Sequence, residues 1–527
     1  MKNQNYPLYE FERFSNLNEL VNFAADKYSD KPAFVFERGE ETISISYCQF
    51  KDEVESLATA LSNIGLNNGK VALVGENSYE WILAYFAVVN SGNVIVPLDK
   101  ELPAEDIKYL IEHSGAEMFI FSDAFSDVAN YLQENGTNIP YHINMNKLPE
   151  LIKQGESAKK ENNITKTVIN EINNEALAAI MYTSGTTGTS KGVMLSHKNI
   201  ASDTVAVCQS VFFPDKSLLV LPLHHIAGFV GVLCMFAYGS RIAINLSLKT
   251  LAKDFNRYKP GIMVLVPLFV ETFYKQIMAL AAKNNDGDGL IKTANQVFGG
   301  NLEYIICGAA PLDEKYVKGY LDLGITILNV YGLTECSGAI SINRNHYFNA
   351  ASVGRIIPFC DVKISNPDED GNGEIYAKGD IVMLGYYKNE QASKETFDGE
   401  WFKTGDIGHM DNDGFLYVSG RKKNLIILSN GKNVYPEEIE SALLKHISYA
   451  REVVIYAKND EIVAEVFLDT ENSPDCALQL NDDIIEFNRT LPIYKNIART
   501  VVRDTEFPKT TTKKIKRQYK DGGTANA

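Results

Sequence analysis

The chain has 527 residues, of which 45% are apolar and 22% charged, and it carries a formal net charge of −16. That length exceeds one small core and allows two to four packed units, in a composition ordinary for a folded globular protein. The acidic balance argues against wholesale nucleic-acid binding, so an anionic ligand has to be met by a local basic patch.

The first residues, MKNQNYPLYEFERFS, have no apolar core of a signal peptide. From residue 43 strand-like and helix-like pieces alternate: ISISY, the helical spacing of FKDEVESLATALSNIG with its glycine stop, KVALVG, EWILAYFAVVNSG and VIVPL. This is the rhythm of helices crossing over a parallel sheet and predicts an α/β fold class. The polar stretch 153–174 reads as a surface connection. The rhythm returns with 252–258, MVLVP, a helix over 268–280, a loop at KNNDGDG, then EYIICG, a helix over 312–323 and TILNVYG. Between 360 and 420 the short runs DVKIS, GEIYAKG and FLYVSG, separated by glycine turns, predict a small barrel or sheet. After Gly420 the chain resumes with helices and strands of its own, so a domain boundary falls there. The apolar stretches 81–89 and 229–238 are shorter than the ~20 residues of a membrane span, and no transmembrane helix is expected; peripheral lipid contact stays open. Seven scattered cysteines without CxxC or Cys/His clustering give neither a disulfide framework nor a zinc site and suit a reducing cytoplasm.

Residues 182–192 read YTSGTTGTSKG between two apolar runs, AAIMYT and GVMLS. Glycines let successive backbone N–H groups converge, hydroxyls add donors, and Lys191 adds a mobile charge, so the segment is built to hold phosphate oxygens. It is no ordinary P-loop: Lys191 precedes Gly192 and the chain continues as a strand rather than a helix. His224 and His225 invite a metal reading, but adjacent residues of an extended segment point to opposite sides and would not share one ion.

The loop resembles that of the acyl- and aryl-adenylate-forming enzymes, which include acyl-CoA synthetases, nonribosomal adenylation domains and beetle luciferases. Six collinear segments extend the resemblance: LPLHHIAG (221–228), CGAAPL (307–312), NVYGLTE (329–335), KTGDIG (403–408), GRKKNLIILSNGKNVYPEEIE (420–440) and PKTTTKKIKR (508–517). Ser190 stands where most members have proline. The resemblance implies a large N-terminal domain, 1–420, of stacked, mostly parallel α/β sheets with a small β-barrel-like subdomain, and a small mobile α+β domain, 421–527. It implies ATP, Mg²⁺ and coenzyme A as cofactors or co-substrates. Thr183, Ser184, Gly185, Thr186, Thr187, Gly188 and Lys191 would hold phosphates, and Glu335 with Thr183 would bind the magnesium ion, which takes hard oxygen ligands. Gly308, Ala309, Ala310, Asn329, Tyr331, Gly332 and Thr334 would surround the adenine side, while Asp406 would take the ribose hydroxyls beside Arg421. Lys514, next to Lys513, would be the catalytic lysine. Its charge counts most when carboxylate and α-phosphate are closest. Lys423 would be the hinge, Gly431 would meet the CoA tunnel, and His225 would line the acyl entrance.

Amino-acid-activating relatives carry an aspartate near LPLHHIAG, whereas no acid lies between Leu218 and Arg241 here. An apolar pocket selects by buried area, which points to a fatty acid of medium to long chain, with an aryl acid as the alternative. CoA and the phosphopantetheine of an acyl carrier protein end in the same thiol, and sequence separates these acceptors poorly. Nothing in the sequence sets the oligomeric state.

Overall fold

The computed structural model describes residues 8–161, 172–183, 190–284, 289–429, 432–458, 461–470, 473, 475–509 and 515–517. The chain divides into two compact units. The first comprises Met1–Val362, Ala377–Phe402 and Asp411–Leu416, and the second Lys363–Tyr376, Lys403–Met410 and Tyr417–Ala527.

The first unit is built on two large sheets. One has nine strands in the order Arg355–Ile356, Ser341–Ile342, Thr326–Tyr331, Tyr304–Cys307, Ile262–Leu265, Lys216–Leu219, Arg241–Ile244, Pro32–Arg38 and Glu41–Ser46. Neighbours from Thr326–Tyr331 through Pro32–Arg38 run parallel, and antiparallel strands close both edges. The other has seven strands: Gly385–Tyr386, Lys191–Ser196, Leu177–Thr183, Val94–Pro97, Lys70–Val74, Met118–Phe121 and Tyr141–Asn144.

Helices Tyr79–Asn90, His197–Ser210 and Ile226–Ala237 are buried along nearly their whole length. A helix buried along nearly its whole length has no face for water and must be covered on every side, as the apolar Tyr79–Asn90 and Ile226–Ala237 are and as the more polar His197–Ser210 also is. These three are covered by both sheets at once: one continuous core joins Phe34, Ile242 and Ile262 of the nine-stranded sheet, the helices, and Val71, Ile95 and Leu195 of the seven-stranded sheet. A second core joins the nine-stranded sheet to helices Leu251–Tyr258, Pro267–Asn284, Gly289–Phe298 and Glu314–Asp322. Helices Ala104–Ser114 and Ser126–Glu134 share a further core with the seven-stranded sheet. The α/β class with stacked, mostly parallel sheets therefore stands as the motifs implied.

One expectation fails. The polar stretch after residue 153 is not simply a connection, because Leu148–Glu161 is a helix. Its Gly155 packs so tightly on the helix Tyr47–Asn63 that a Cβ there would lie 1.8 Å from the Ser56 carbonyl oxygen. A polar composition hid the contact, since glycine carries no hydrophobic signal.

The second unit takes in strand segments of a five-stranded sheet ordered Cys360–Ser365, Gly373–Gly379, Trp401–Met410 and Phe397–Asp398, with Leu416–Arg421 paired to Trp401–Met410. It continues into a three-stranded sheet, Ala450–Lys458, Glu461–Leu468 and Ile497–Arg503, packed with helices Pro436–His446 and Cys476–Asn488 around Ile439, Leu443, Val466 and Phe487. Among the described residues, no helix is long and apolar enough to cross a membrane.

Candidate active site

Strands Leu177–Thr183 and Lys191–Ser196 are antiparallel, with Thr183 opposite Lys191 and its Oγ1 3.5 Å from the Lys191 carbonyl oxygen. Of the segment between them, Ser184, Gly185, Thr186, Thr187 and Gly188 lie outside the described residues, as do Gly431, Lys513 and Lys514. The short strand Gly385–Tyr386 adds to the outer edge with Tyr386 opposite Val193. Gly385 has φ +136°, a backbone state that favours glycine. Tyr386 then reaches both ways. Lys191 Nζ sits 4.9 Å from the centre of its ring, within cation–π range. Its hydroxyl donates to Glu335 Oε1 at 2.9 Å. Burial first, and then the Glu335 charge, pushes the phenol far above its ordinary pKa, so it remains a donor.

Glu335 lies on the single turn Thr334–Cys336, half-buried, and its carbonyl oxygen accepts the Met383 N–H at 2.9 Å. One tyrosine thus joins the lysine of the phosphate-type loop to the acid of YGLTE. Tyr386 is absent from the sequence reading. Its only local signal is a glycine before an aromatic, whereas its partners come through pairing with a strand nearly two hundred residues earlier.

Parallel strands Tyr304–Cys307 and Thr326–Tyr331 place Cys307 beside Asn329, so Gly308 and Tyr331 stand near neighbouring carboxyl ends. Ligands of open parallel sheets bind at such ends. A Cβ on Gly308 would lie 2.5 Å from Val330 Cγ1 and 2.8 Å from its carbonyl oxygen, so any side chain would push the strands apart. Ala309, at φ +68°, and Ala310 are exposed beyond it. Asn329, 7% exposed, donates through Nδ2 to the carbonyl oxygens of Ala350 at 3.3 Å and Ser352 at 3.1 Å. Its buried Oδ1 has no hydrogen-bond partner. Leaving a buried acceptor unmet costs ~1–3 kcal/mol. Tyr331 ends the strand that carries Asn329 and is half-buried, as is Thr334 just beyond it, and Gly332 is held to glycine because a Cβ there would meet the Gly338 carbonyl oxygen at 1.8 Å.

In the second unit Asp406, 4% exposed, is 2.8 Å from Arg421 Nε through Oδ1. Its N–H donates to Thr404 Oγ1 at 3.1 Å, and Thr404 donates to the Ile375 carbonyl oxygen at 2.7 Å. Lys423 lies on the turn Lys422–Asn424. Burial, then the charges of Arg421 and Arg517, lowers its ammonium pKa against the opposing pull of Glu437.

The two histidines correct the sequence expectation. His224 lies in a turn and His225 directly precedes helix Ile226–Ala237, so extended alternation does not apply. Their rings come together, with centroids 4.2 Å apart, and both approach Asp99.

Residues 21–387 match the family described as "AMP-binding: AMP-binding enzyme". The chain belongs to the AMP-binding enzyme family. This enzyme is 27% identical over 478 residues to the long-chain-fatty-acid-CoA ligase FadD15 of Mycobacterium bovis, covering 81% of this chain and 78% of the relative. It is 29% identical over 550 residues to the long-chain-fatty-acid-CoA ligase of Salmonella typhimurium, covering 96% and 94%. An anthranilate CoA ligase solved with anthranoyl-AMP shares the fold at TM-score 0.77 and 21% identity, covering 98% of each chain. An o-succinylbenzoate CoA synthetase from Bacillus subtilis, solved with ATP and magnesium, does so at TM-score 0.75 and 24% identity, covering 94% of this chain and 98% of that one.

Proposed function

We propose that this AMP-binding enzyme is an AMP-forming acyl-CoA synthetase acting on a medium- to long-chain fatty acid. The observation that carries the reading is the Lys191–Tyr386–Glu335 chain, which sets a cation and a carboxylate on one tyrosine. A carboxylate attacking the α-phosphate of ATP brings two anions together, and fixed positive charge has to offset their repulsion. Mg²⁺, held by Glu335 and Thr183, would supply part of that charge to the phosphate oxygens. Lys191 and the loop residues 184–188 hold the phosphates. Gly308, Ala309 and Ala310 leave room for a flat base, Asn329 stands near its edge, and Tyr331, Gly332 and Thr334 frame that side. Asp406 accepts the ribose hydroxyls, with Arg421 Nε 2.8 Å from its Oδ1.

Lys514 supplies the charge that stabilises the first transition state, as the carboxylate oxygen bonds to phosphorus and pyrophosphate leaves. The CoA sulfur then attacks the acyl carbonyl, AMP departs and the thiol proton is released. Residues 1–420 and 421–527 are the two domains of this scheme, with Lys423 as hinge and Gly431 at the CoA tunnel. The acyl preference is supported by helix Ile226–Ala237, apolar throughout, by the absence of an acid between Leu218 and Arg241, and by the names of the relatives. His225, ahead of that helix, lines the acyl entrance. An aryl acid is the second reading, favoured by the aryl-CoA ligases among the structural neighbours.

The test is incubation with ATP, Mg²⁺, CoA and a panel of fatty, aryl and amino acids, with AMP and thioester read by mass spectrometry. Fatty acids of eight or more carbons are expected to give both products. AMP without thioester, restored by a carrier protein bearing phosphopantetheine, would move the acceptor; no AMP with any acid would overturn the assignment.

A further inference from the structure

We propose that Asp99, His224 and His225 form a binding site for a divalent transition-metal ion of the Zn²⁺ class. One ring nitrogen of each histidine and one carboxylate oxygen all lie within 4.8 Å of one another. His224 decides the reading. Its side chain is only 5% exposed and its Nε2 is 3.2 Å from Asp99 Oδ1. Yet that buried Nε2 makes no hydrogen bond, because the approach is misaligned. Two ligands on a tetrahedral ion, each bonded at ~2.0–2.1 Å, stand ~3.3 Å apart without pointing at each other. The observed pair has that separation and that misalignment.

The surroundings hold the group in place. Asp99 follows strand Val94–Pro97 of the seven-stranded sheet, and its Oδ1 also accepts the Glu101 N–H at 2.9 Å. The histidines follow strand Lys216–Leu219 of the nine-stranded sheet. Asn77 grips the turn before them, donating to the Leu221 carbonyl oxygen at 2.9 Å and accepting the Leu223 N–H at 3.0 Å. Two imidazoles and one carboxylate suit Zn²⁺, Co²⁺ or Ni²⁺ rather than Mg²⁺, which prefers oxygen, and three protein ligands leave one position open. The site is separate from the Glu335 position proposed for magnesium. An ion there would tie the two sheets of the first unit together and raise its stability by mass action.

The full chain, untagged, stripped with chelator and free of nucleotide, is titrated with Co²⁺ while visible absorption is followed; Zn²⁺ then competes. One equivalent with the intense visible bands of a four-coordinate ion is expected, together with a Zn²⁺-dependent rise in Tm. His224→Gln and Asp99→Asn, checked by circular dichroism for a retained fold, are expected to weaken binding at least tenfold and abolish the Tm rise, while Glu335→Gln binds as the parent does. Unchanged affinity in both His224→Gln and Asp99→Asn would overturn the proposal. So would loss in Glu335→Gln alone, or the near-ultraviolet charge-transfer bands of a thiolate ligand.

Discussion

The two units hold their polar groups in different ways. In the first, aromatic side chains such as Trp81, Tyr85, Phe86, Phe229 and Phe236 are buried between two sheets, with the rings of Tyr85 and Phe229 3.7 Å apart. Asn329 is set on that frame by strand register. In the second, a smaller core is bordered by charge pairs: Arg503 with Glu465 at 2.6 Å, Lys422 with Glu374 at 2.7 Å, Arg421 with Asp406 at 2.8 Å, and Arg517 with Glu440. Apolar burial is not screened by salt, whereas pairs reaching the surface weaken as ionic strength rises. The first unit is therefore expected to keep its geometry across conditions that loosen the second.

The largest expected effect tests whether the second unit contributes chemistry at all. Lys514→Ala should lower adenylate formation from free acid by ~10³-fold, as loss of a group that stabilises developing charge does. It should keep thioester synthesis from supplied acyl-adenylate, as single-turnover kinetics would show; equal loss of both steps would remove Lys514 from its role. In the first unit, Glu335→Gln should cost ~10²-fold in kcat/KM and raise the Mg²⁺ concentration needed for half-maximal rate. Tyr386→Phe, which keeps the ring under Lys191 but drops the hydroxyl, should cost less, ~10-fold, and a neutral result there would break the link between lysine and acid.

Stability separates the units next. Phe229→Ala should destabilise the first unit by ~3–5 kcal/mol regardless of salt, through loss of buried area and the cavity left behind. Arg517→Met, which leaves Glu440 without its guanidinium partner, should destabilise the second unit by roughly 2 kcal/mol. Hydrogen exchange resolved by peptide assigns each loss to its unit.

The last contrast is a pH slope inside the first unit. Asp203 is buried on helix His197–Ser210; its Oδ1 accepts the Ala339 N–H at 2.9 Å, and its Oδ2 has no hydrogen-bond partner. Burial, opposed by that N–H, pushes its pKa up to about 8. The unfolded carboxyl releases its proton near ~3.9. Between these values the folded chain holds the Asp203 proton more tightly, so this group's contribution to stability is fully present at the acid end and is lost as pH rises toward 8. Asp203→Asn should flatten this slope, with Tm at pH 8 at least ~3 °C above the parent's, read by calorimetry.

Much of the fold was legible because it is written in periods. Alternating apolar runs and amphipathic helices announced the parallel sheets, and the short β runs after residue 360 announced the smaller sheet. The helix Leu148–Glu161 was not, because its closest contact is a glycine against a backbone carbonyl. At the candidate site, Lys191 and Glu335 stood out by residue type and neighbours. Tyr386, 51 residues from Glu335, could not. Nor could the meeting of His224 with Asp99, which depends on a turn that breaks extended alternation.

By itself the amino-acid order determined which groups the chain offers: a glycine and hydroxyl loop ending in lysine, an acid after YGLT, and an apolar helix without charge. Such properties belong to single residues and their near neighbours. Only the tertiary structure decided which groups meet: Tyr386 between Lys191 and Glu335, the unmet oxygen of Asn329, and the histidine pair beside Asp99. Those meetings follow from strand register and helix packing over long separations, where burial of the whole core, rather than any local preference, selects the arrangement.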